Sequence, residues 1–278
     1  MRTLRRLIAL TGLSLALVSH THAQRAQFHD PLYQTKGTQH RTYYFPEADD
    51  HIPYRLYVPS SWTPDSNMPL LVWINPTLDI DLPFVRKNNI LEKLAEERGY
   101  IVAVPSGFER PRPFFNSPYP GIRVNPTSAQ PDPEFNRPER VLERQRSEQD
   151  IINVTDLVAE EYNVPDNRIY MFSNSSGGIG VWYLAHEHAD KFAAVGVSSA
   201  PIVLDNYPVE KIRNLPFLVV HGEADDTYSY NAARENAEQL QSIGLPVDFL
   251  SVPGGTHLEA WCDALPQILD FFDQHMKN

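Results

Sequence analysis

Three short segments in the second half of the chain carry residue types that together could perform acyl transfer. Residues 173–178 read SNSSGG, and Ser175 in their centre follows a short apolar run and precedes a segment of helical period. A serine on a sharp strand-to-helix turn points outward on a strained backbone, and such a turn needs small neighbours two residues away on each side. Gly177 meets that need, whereas Ser173 stands where a glycine is usual. The context predicts a nucleophile at Ser175, with a serine-rich helix cap as the alternative.

The other two segments supply a carboxylate and an imidazole. Residues 221–226 (HGEADD) follow the apolar run 217–220, and Asp225 is favoured over its neighbour Asp226 by its spacing from His221. The sequence GGTH ends at His257, and its glycines allow a tight turn after a further strand. Serine, aspartate and histidine in this chain order, at successive strand ends, match the α/β-hydrolase triad. We therefore expect Ser175 as nucleophile, His257 as general base and Asp225 as the acid that orients it.

These residues need a sheet edge on which to meet, and the hydrophobic pattern predicts one. Short apolar runs rich in β-branched and aromatic residues alternate with segments of helical period, which indicates an α/β fold with a mostly parallel central sheet and helices on both faces. Right-handed crossovers place the carboxyl ends of parallel strands at one edge. Strands are predicted at 54–58, 70–74, 100–104, 169–172, 193–197, 217–220 and 247–252, with an antiparallel partner near 42–45. Helices are predicted at 84–98, 147–162, 177–189 and 228–243, and from the segment after His257 to about residue 276.

One long segment, at about residues 105–138, interrupts this alternation. It holds nine of the 24 prolines, so neither a helix nor a central strand can run through it. A long irregular loop at the carboxyl end of a strand lies where α/β proteins bind ligands. We therefore expect its aromatic residues Phe114, Phe115 and Tyr119 to line a substrate cleft, together with Asn174 beside the nucleophile.

The chain also resembles a known family, the secreted α/β-hydrolase esterases that include polyhydroxybutyrate depolymerases, feruloyl esterases and acetylxylan esterases. The resemblance implies an α/β-hydrolase fold, hydrolysis of carboxylic esters without a cofactor, and triad roles for the serine, aspartate and histidine given above. Besides those residues and the pair His221 and Gly222, it is carried by residues 54–59 (YRLYVP), 97–100 (ERGY), 162–164 (YNV) and 168–170 (RIY).

One turn departs from the pattern of that family. Its members have a His-Gly-Gly or His-Gly-x turn after the strand that corresponds to residues 70–74, and this chain has Asn75, Pro76 and Thr77 there. The turn supplies one of two backbone N–H groups that bind the oxyanion, and the residue after the nucleophile, Ser176, supplies the other. If the third residue of the turn is the donor, Thr77 can serve. If the second is the donor, the hole is halved, because proline has no N–H.

The first 23 residues have the features of a secretory signal peptide. Three arginines precede an apolar run from Leu7 to Val18, and the sequence Thr-His-Ala before Gln24 resembles a cleavage site. About twelve apolar residues are too few to span a bilayer comfortably. We therefore expect a signal peptide at 1–23, a single α/β-hydrolase domain at 24–278, no membrane span after cleavage, and secretion or export to the periplasm.

Composition argues against several other classes of function. The formal charge is −11, and it becomes −14 when the three arginines of residues 1–23 are removed, so the mature chain is poorly suited to nucleic acid. No histidine or cysteine spacing typical of a metal site occurs, and His186 and His188 are interpreted as surface residues of a helix. The single cysteine, Cys262, cannot form an internal disulfide and is interpreted as a buried thiol.

The sequence thus favours a serine esterase that acts through an acyl-enzyme and needs neither cofactor nor metal. The expected substrates are feruloyl or acetyl esters of plant cell walls, or a polyester. The substrate molecule can be polymeric or small. Two alternatives stay open. One is a serine peptidase on the same fold, and the other is a catalytically weakened or inactive homologue that binds a glycan or polymer.

Overall fold

The computed structural model describes residues 32–77, 79–108 and 137–277. The expected signal peptide and most of the proline-rich segment, with Phe114, Phe115 and Tyr119, lie outside the described residues. Within the described ranges, no helix is long and apolar enough to cross a membrane.

Eight strands of the described ranges form one sheet. The strands are β1 (Gly37–Phe45), β2 (Asp50–Val58), β3 (Leu70–Trp73), β4 (Ile101–Pro105), β5 (Ile169–Asn174), β6 (Ala194–Ser198), β7 (Phe217–Gly222) and β8 (Val247–Val252). Their order in the sheet is β1-β2-β4-β3-β5-β6-β7-β8. The β1–β2 and β2–β4 pairs are antiparallel, and all other neighbours are parallel. This confirms the predicted fold class of a mostly parallel sheet.

Six α-helices of the described residues cover the two faces of the sheet. They are α1 (Leu82–Val85), α2 (Ile90–Arg98), α3 (Pro138–Glu161), α4 (Ser175–Glu187), α5 (Tyr230–Ser242) and α6 (Ala260–Gln274). Apolar residues of α3, α4 and α5 share one buried cluster, and those of α1, α2 and α6 share another. Alternate residues of β3 join opposite clusters, since Leu70 and Val72 belong to the first and Leu71 and Trp73 to the second.

The prediction of one helix at 84–98 is wrong. Lys87, Asn88 and Asn89 have φ angles of 41°, 56° and 63°, and these left-handed residues separate α1 from α2. Asparagine tolerates this conformation better than most residues, because its short polar side chain can bond locally. Helix α3 also begins earlier than predicted, at Pro138, since proline is well suited to the first helical turn.

The order of the strands reverses next to β3. The chain passes from β3 to β4 on one side, and then returns to place β5 on the other side of β3. In open α/β sheets, ligands bind at such a reversal, outside the carboxyl ends of the strands. The turn after β3 and the turn after β5 therefore lie side by side, and they contain Asn75–Thr77 and Ser175.

Candidate active site

Ser175 occupies a strained turn between β5 and α4. Its φ angle is 53°, a left-handed value that is uncommon for serine and typical of a nucleophile turn. Position 177 requires glycine, because a Cβ on Gly177 would lie 2.2 Å from Ser173 Oγ and 2.5 Å from the Ile74 carbonyl oxygen. Ser173 itself belongs to β5 and donates its hydroxyl proton to the Ile74 carbonyl, which ties the nucleophile turn to the turn after β3.

His257 reaches Ser175 from the loop that joins β8 to α6. Its Nε2 lies 2.9 Å from Ser175 Oγ, and its Nδ1 lies 3.1 Å from Asp225 Oδ2. Since a carboxylate can only accept, Nδ1 carries the proton and Nε2 is free to accept the proton of the serine hydroxyl. The structure thus brings together the three residues that the sequence singled out, in the arrangement expected of the nucleophile, base and orienting acid that it predicted.

A close backbone contact holds the loops of Asp225 and His257 together. A Cβ on Gly222 would lie 2.1 Å from the carbonyl oxygen of Gly255, so only glycine fits there. The same carbonyl accepts the N–H of Ala224. Gly222 therefore lets the loop that carries His257 pack directly on the end of β7.

Asp225 is held as a carboxylate by its surroundings. Its side chain is fully buried, and burial alone would raise its pKa. Hydrogen bonds from His221 and His257 and from the backbone N–H groups of Tyr228 and Thr227 outweigh that effect and lower the pKa well below the usual value. The neighbouring Asp226 is exposed, and its carboxylate accepts from the hydroxyl of Thr227. Asp225 is therefore the one that faces the imidazole.

A second histidine shares this carboxylate, which the sequence did not predict. His221 is fully buried, and its Nε2 lies 3.1 Å from Asp225 Oδ2 and 3.2 Å from the Tyr228 carbonyl oxygen. Both of these oxygens are acceptors, so Nε2 carries the proton. The HGEAD spacing was a usable signal, because it places a histidine at the end of β7 four residues before the carboxylate.

The turn after β3 lies close to the nucleophile, and one of its N–H groups is already occupied. Ser176 Oγ donates to the Pro76 carbonyl over 2.8 Å, so the two turns are joined. As the second residue of α4, Ser176 has no intrahelical partner for its own N–H. The N–H of Thr77, however, donates to Asn75 Oδ1 over 3.1 Å. Asn75 is 2% exposed, and its Nδ2 has no partner among the described residues.

A cavity of about 170 Å³ opens beside Ser175. Its wall is mostly apolar, with Trp73 and Trp261 on one side and smaller residues around them. Asn174, which we predicted to contact the substrate, lines it, as do Thr77 and Ser176. Arg86 is the one charged residue that the described part of the wall contains, and no sequence pattern had singled it out.

Two other predictions about reactive groups have different outcomes. Cys262 is 3% exposed, and burial raises its pKa to about 12, so it is the buried thiol that was predicted. The prediction that His186 is a surface residue is wrong. This histidine is 5% exposed and packs against the rings of Tyr183 and Tyr207, because α4 turns that face toward the core. No cluster of three metal-binding side chains occurs in the described ranges.

One curated protein to which this chain is similar is a bifunctional acetylxylan esterase/xylanase of Neocallimastix patriciarum. It is 26% identical over 175 residues, which are 63% of this chain and 22% of the relative. No family model matches. Among solved structures, a thermostable esterase aligns with a TM-score of 0.63 and 22% identity, over 86% of this chain and 63% of its own. A ferulic acid esterase of Anaeromyces mucronatus aligns with a TM-score of 0.59 and 16% identity, over 88% and 95%.

The chain has the α/β-hydrolase fold. The structural likeness and the sheet order decide this together, and they agree with the resemblance found in the sequence. The chain spans about a fifth of the length of the curated relative and less than two thirds of the thermostable esterase. In the α/β-hydrolase fold, Ser175, Asp225 and His257 stand at the ends of β5, β7 and β8.

Proposed function

We propose that this protein is a serine esterase that hydrolyses carboxylic esters through an acyl-enzyme. The observation that carries the proposal is the hydrogen-bonded chain from Ser175 Oγ through His257 to Asp225, with the serine on a left-handed turn. A nucleophile, a base within 3.2 Å of it and a group that orients the base are the requirements of covalent acyl transfer.

The reaction has two steps. His257 takes the proton of Ser175 as the hydroxyl oxygen attacks the ester carbonyl, and the imidazolium that forms is stabilised by Asp225. It then gives that proton to the departing alcohol. In the second step, water attacks the acyl-enzyme, His257 again takes a proton, and the acid leaves as Ser175 recovers its own.

The oxyanion would be bound by the N–H groups of Ser176 and Thr77. The first lies at the beginning of α4, where the helix dipole also favours negative charge. The N–H of Thr77 must break its hydrogen bond to the amide oxygen of Asn75, or share its proton between that oxygen and the oxyanion. A negatively charged oxygen accepts more strongly than a neutral amide, which favours the exchange in the transition state.

The expected substrates are feruloyl or acetyl esters of the plant cell wall, or a polyester. The names of the acetylxylan esterase relative and of the ferulic acid esterase with a similar structure support this class. A cavity of about 170 Å³ is close to the 150 Å³ that holds a benzene molecule, so it admits a single ring or a short acyl chain. Residues 1–23 resemble a signal peptide, which supports the proposal that the protein acts after export from the cytoplasm.

A catalytically weakened homologue that binds a glycan or polymer is the second candidate. The observation in its favour is the N–H of Thr77, which is already bound to Asn75. A fluorophosphonate probe separates the two, because an intact serine and histidine pair reacts with it and a silent binding protein does not.

Replacement of Ser175 tests the proposal directly. We expect Ser175→Ala to lower kcat for p-nitrophenyl acetate by about 10³-fold or more, since loss of a triad nucleophile has effects of this size or larger. The Ala variant should also fail to label with the fluorophosphonate. Ser242→Ala, at the end of α5, is the matched control and should retain full activity and labelling. Full activity in Ser175→Ala would remove the nucleophile assignment.

A further inference from the structure

The cavity beside Ser175 contains a cation that ester hydrolysis does not require. Arg86 follows α1 and, of the described residues that line the cavity, is the only charged one. Within the described part of the chain, its guanidinium makes no hydrogen bond and no ion pair. It faces a wall that includes Leu258 and Trp261.

The basic residues around Arg86 are paired, so the local acids are already used. Lys87 bonds Asp263 and lies 3.6 Å from Glu259, and Arg55 Nε lies 2.8 Å from Asp81 Oδ1. Among the described basic residues around the cavity, Arg86 alone has no bonded partner for its five N–H donors. A guanidinium presents them as a planar fork that matches the two oxygens of a carboxylate.

The mostly apolar wall makes such a pairing effective. Arg86 is partly buried, and the indole rings of Trp73 and Trp261 line the same cavity. Attraction between opposite charges grows as the local dielectric constant falls. A small acid whose ester carbonyl lies at Ser175 and whose carboxylate meets Arg86 would fill a cavity of about 170 Å³.

We propose that Arg86 binds a carboxylate of the substrate, so that the preferred substrates are esters that carry a free carboxylate a few bonds from the scissile carbonyl. This inference rests on the proposed esterase function for its kinetic part. An acetyl or other neutral acyl group would use the apolar wall and leave the guanidinium without a partner. A charged substrate would use both, which makes Arg86 a specificity-determining residue.

Binding of a non-reacting ligand tests the site without any catalysis. Succinate and its neutral isostere succinamide would be titrated while tryptophan fluorescence is recorded, because Trp73 and Trp261 line the cavity. We expect the wild type to bind succinate about tenfold or more tightly than succinamide, and Arg86→Gln to lose that preference. Arg234→Gln removes the same charge from an exposed arginine of α5 and should keep it. Equal affinities for the two ligands in the wild type would overturn the proposal.

Matched pairs of esters test the same preference in turnover. In the first pair, methyl hydrogen succinate carries a carboxylate in its acyl group and methyl succinamate carries a neutral amide at the same place. In the second pair, 3-acetoxypropanoate carries the carboxylate in its alcohol part and 3-acetoxypropanamide carries the neutral amide there. In at least one pair, we expect the charged ester to have a kcat/KM at least about tenfold higher, mainly through KM, and the ratio to fall toward one in Arg86→Gln. Ratios within a variant cancel general effects on folding.

Ratios near one in both pairs of the wild type, or an unchanged ratio in Arg86→Gln, would contradict the inference. If no ester is hydrolysed although succinate binding depends on Arg86, the esterase proposal fails and the carboxylate site stands.

Discussion

At the scale of single residues, Asn75 occupies a position that decides how the proposed oxyanion hole works. Its amide oxygen holds the N–H of Thr77, and its buried amide nitrogen has no partner among the described residues. Pro76 between them cannot donate. The side chain therefore fixes the shape of the turn and at the same time competes for the donor that the transition state needs.

Replacement of Asn75 by aspartate keeps the shape of the turn and strengthens the competition for the N–H of Thr77. A carboxylate accepts the N–H of Thr77 more strongly and adds a negative charge beside the developing oxyanion. We expect Asn75→Asp to lower kcat for p-nitrophenyl acetate by about 10²- to 10³-fold, the effect of losing one oxyanion donor. A thermal unfolding curve serves as the control for folding. A kcat within twofold of the wild type in a folded variant would show that Thr77 is not a donor.

At the scale of elements, α3 holds the beginning of the segment that leaves β4. Asp150 of α3 is fully buried and accepts from the Tyr43 hydroxyl over 2.6 Å and from the Gly107 N–H over 2.8 Å. One turn earlier, Ser147 accepts from the N–H of Phe108. The first residues after β4 are therefore anchored to the helix by hydrogen bonds, beside the edge of the sheet where the candidate site lies.

The buried carboxyl of Asp150 should make stability depend on pH. Burial raises its pKa to about 6, above the value of about 3.9 in an unfolded chain. Between these two values the native protein keeps a proton that the unfolded chain has lost, so stability should fall by on the order of 2–3 kcal/mol as the pH rises from about 4 to 6. We expect Asp150→Asn to flatten this change, as measured by urea unfolding at pH 4.5 and 7.5. An unchanged dependence in the variant would assign the effect to other groups.

At the scale of the whole molecule, one buried ion pair joins the antiparallel edge of the sheet to the rest. Arg41 of β1 lies 2.6 Å from Glu161 at the end of α3, and it also donates to the Tyr162 hydroxyl. Both charged side chains are nearly fully buried. Such a pair adds little net stability compared with apolar residues, but removal of one partner leaves the other charge buried alone.

Glu161→Gln should therefore destabilise the fold without altering the chemistry. We expect the free energy of unfolding to fall by about 3 kcal/mol, because the guanidinium of Arg41 remains buried without its anion. The kcat for p-nitrophenyl acetate below the unfolding transition should stay the same, since α3 ends at the edge of the sheet where β5 begins, opposite the carboxyl ends of the strands that carry the triad. Glu210→Gln, which breaks an exposed pair with Arg213, is the matched control and should change little. Equal stability losses in the two variants would contradict this account.

The sequence by itself determined the alternation of strands and helices and the order in which serine, aspartate and histidine occur at strand ends. These features are local, because apolar periodicity and turn residues act over a few neighbouring positions. Only the tertiary structure decided that Asn75 takes the N–H of Thr77, that His221 shares the carboxylate of Asp225, and that Arg86 lines the cavity with no bonded partner among the described residues. Each of these depends on the direction of a side chain and on what packs against it. The spacing of Asn75 and Thr77 and of His221 and Asp225 is local and permits these contacts. Which atoms meet is fixed only when the strands have paired and the two cores have closed on the sheet.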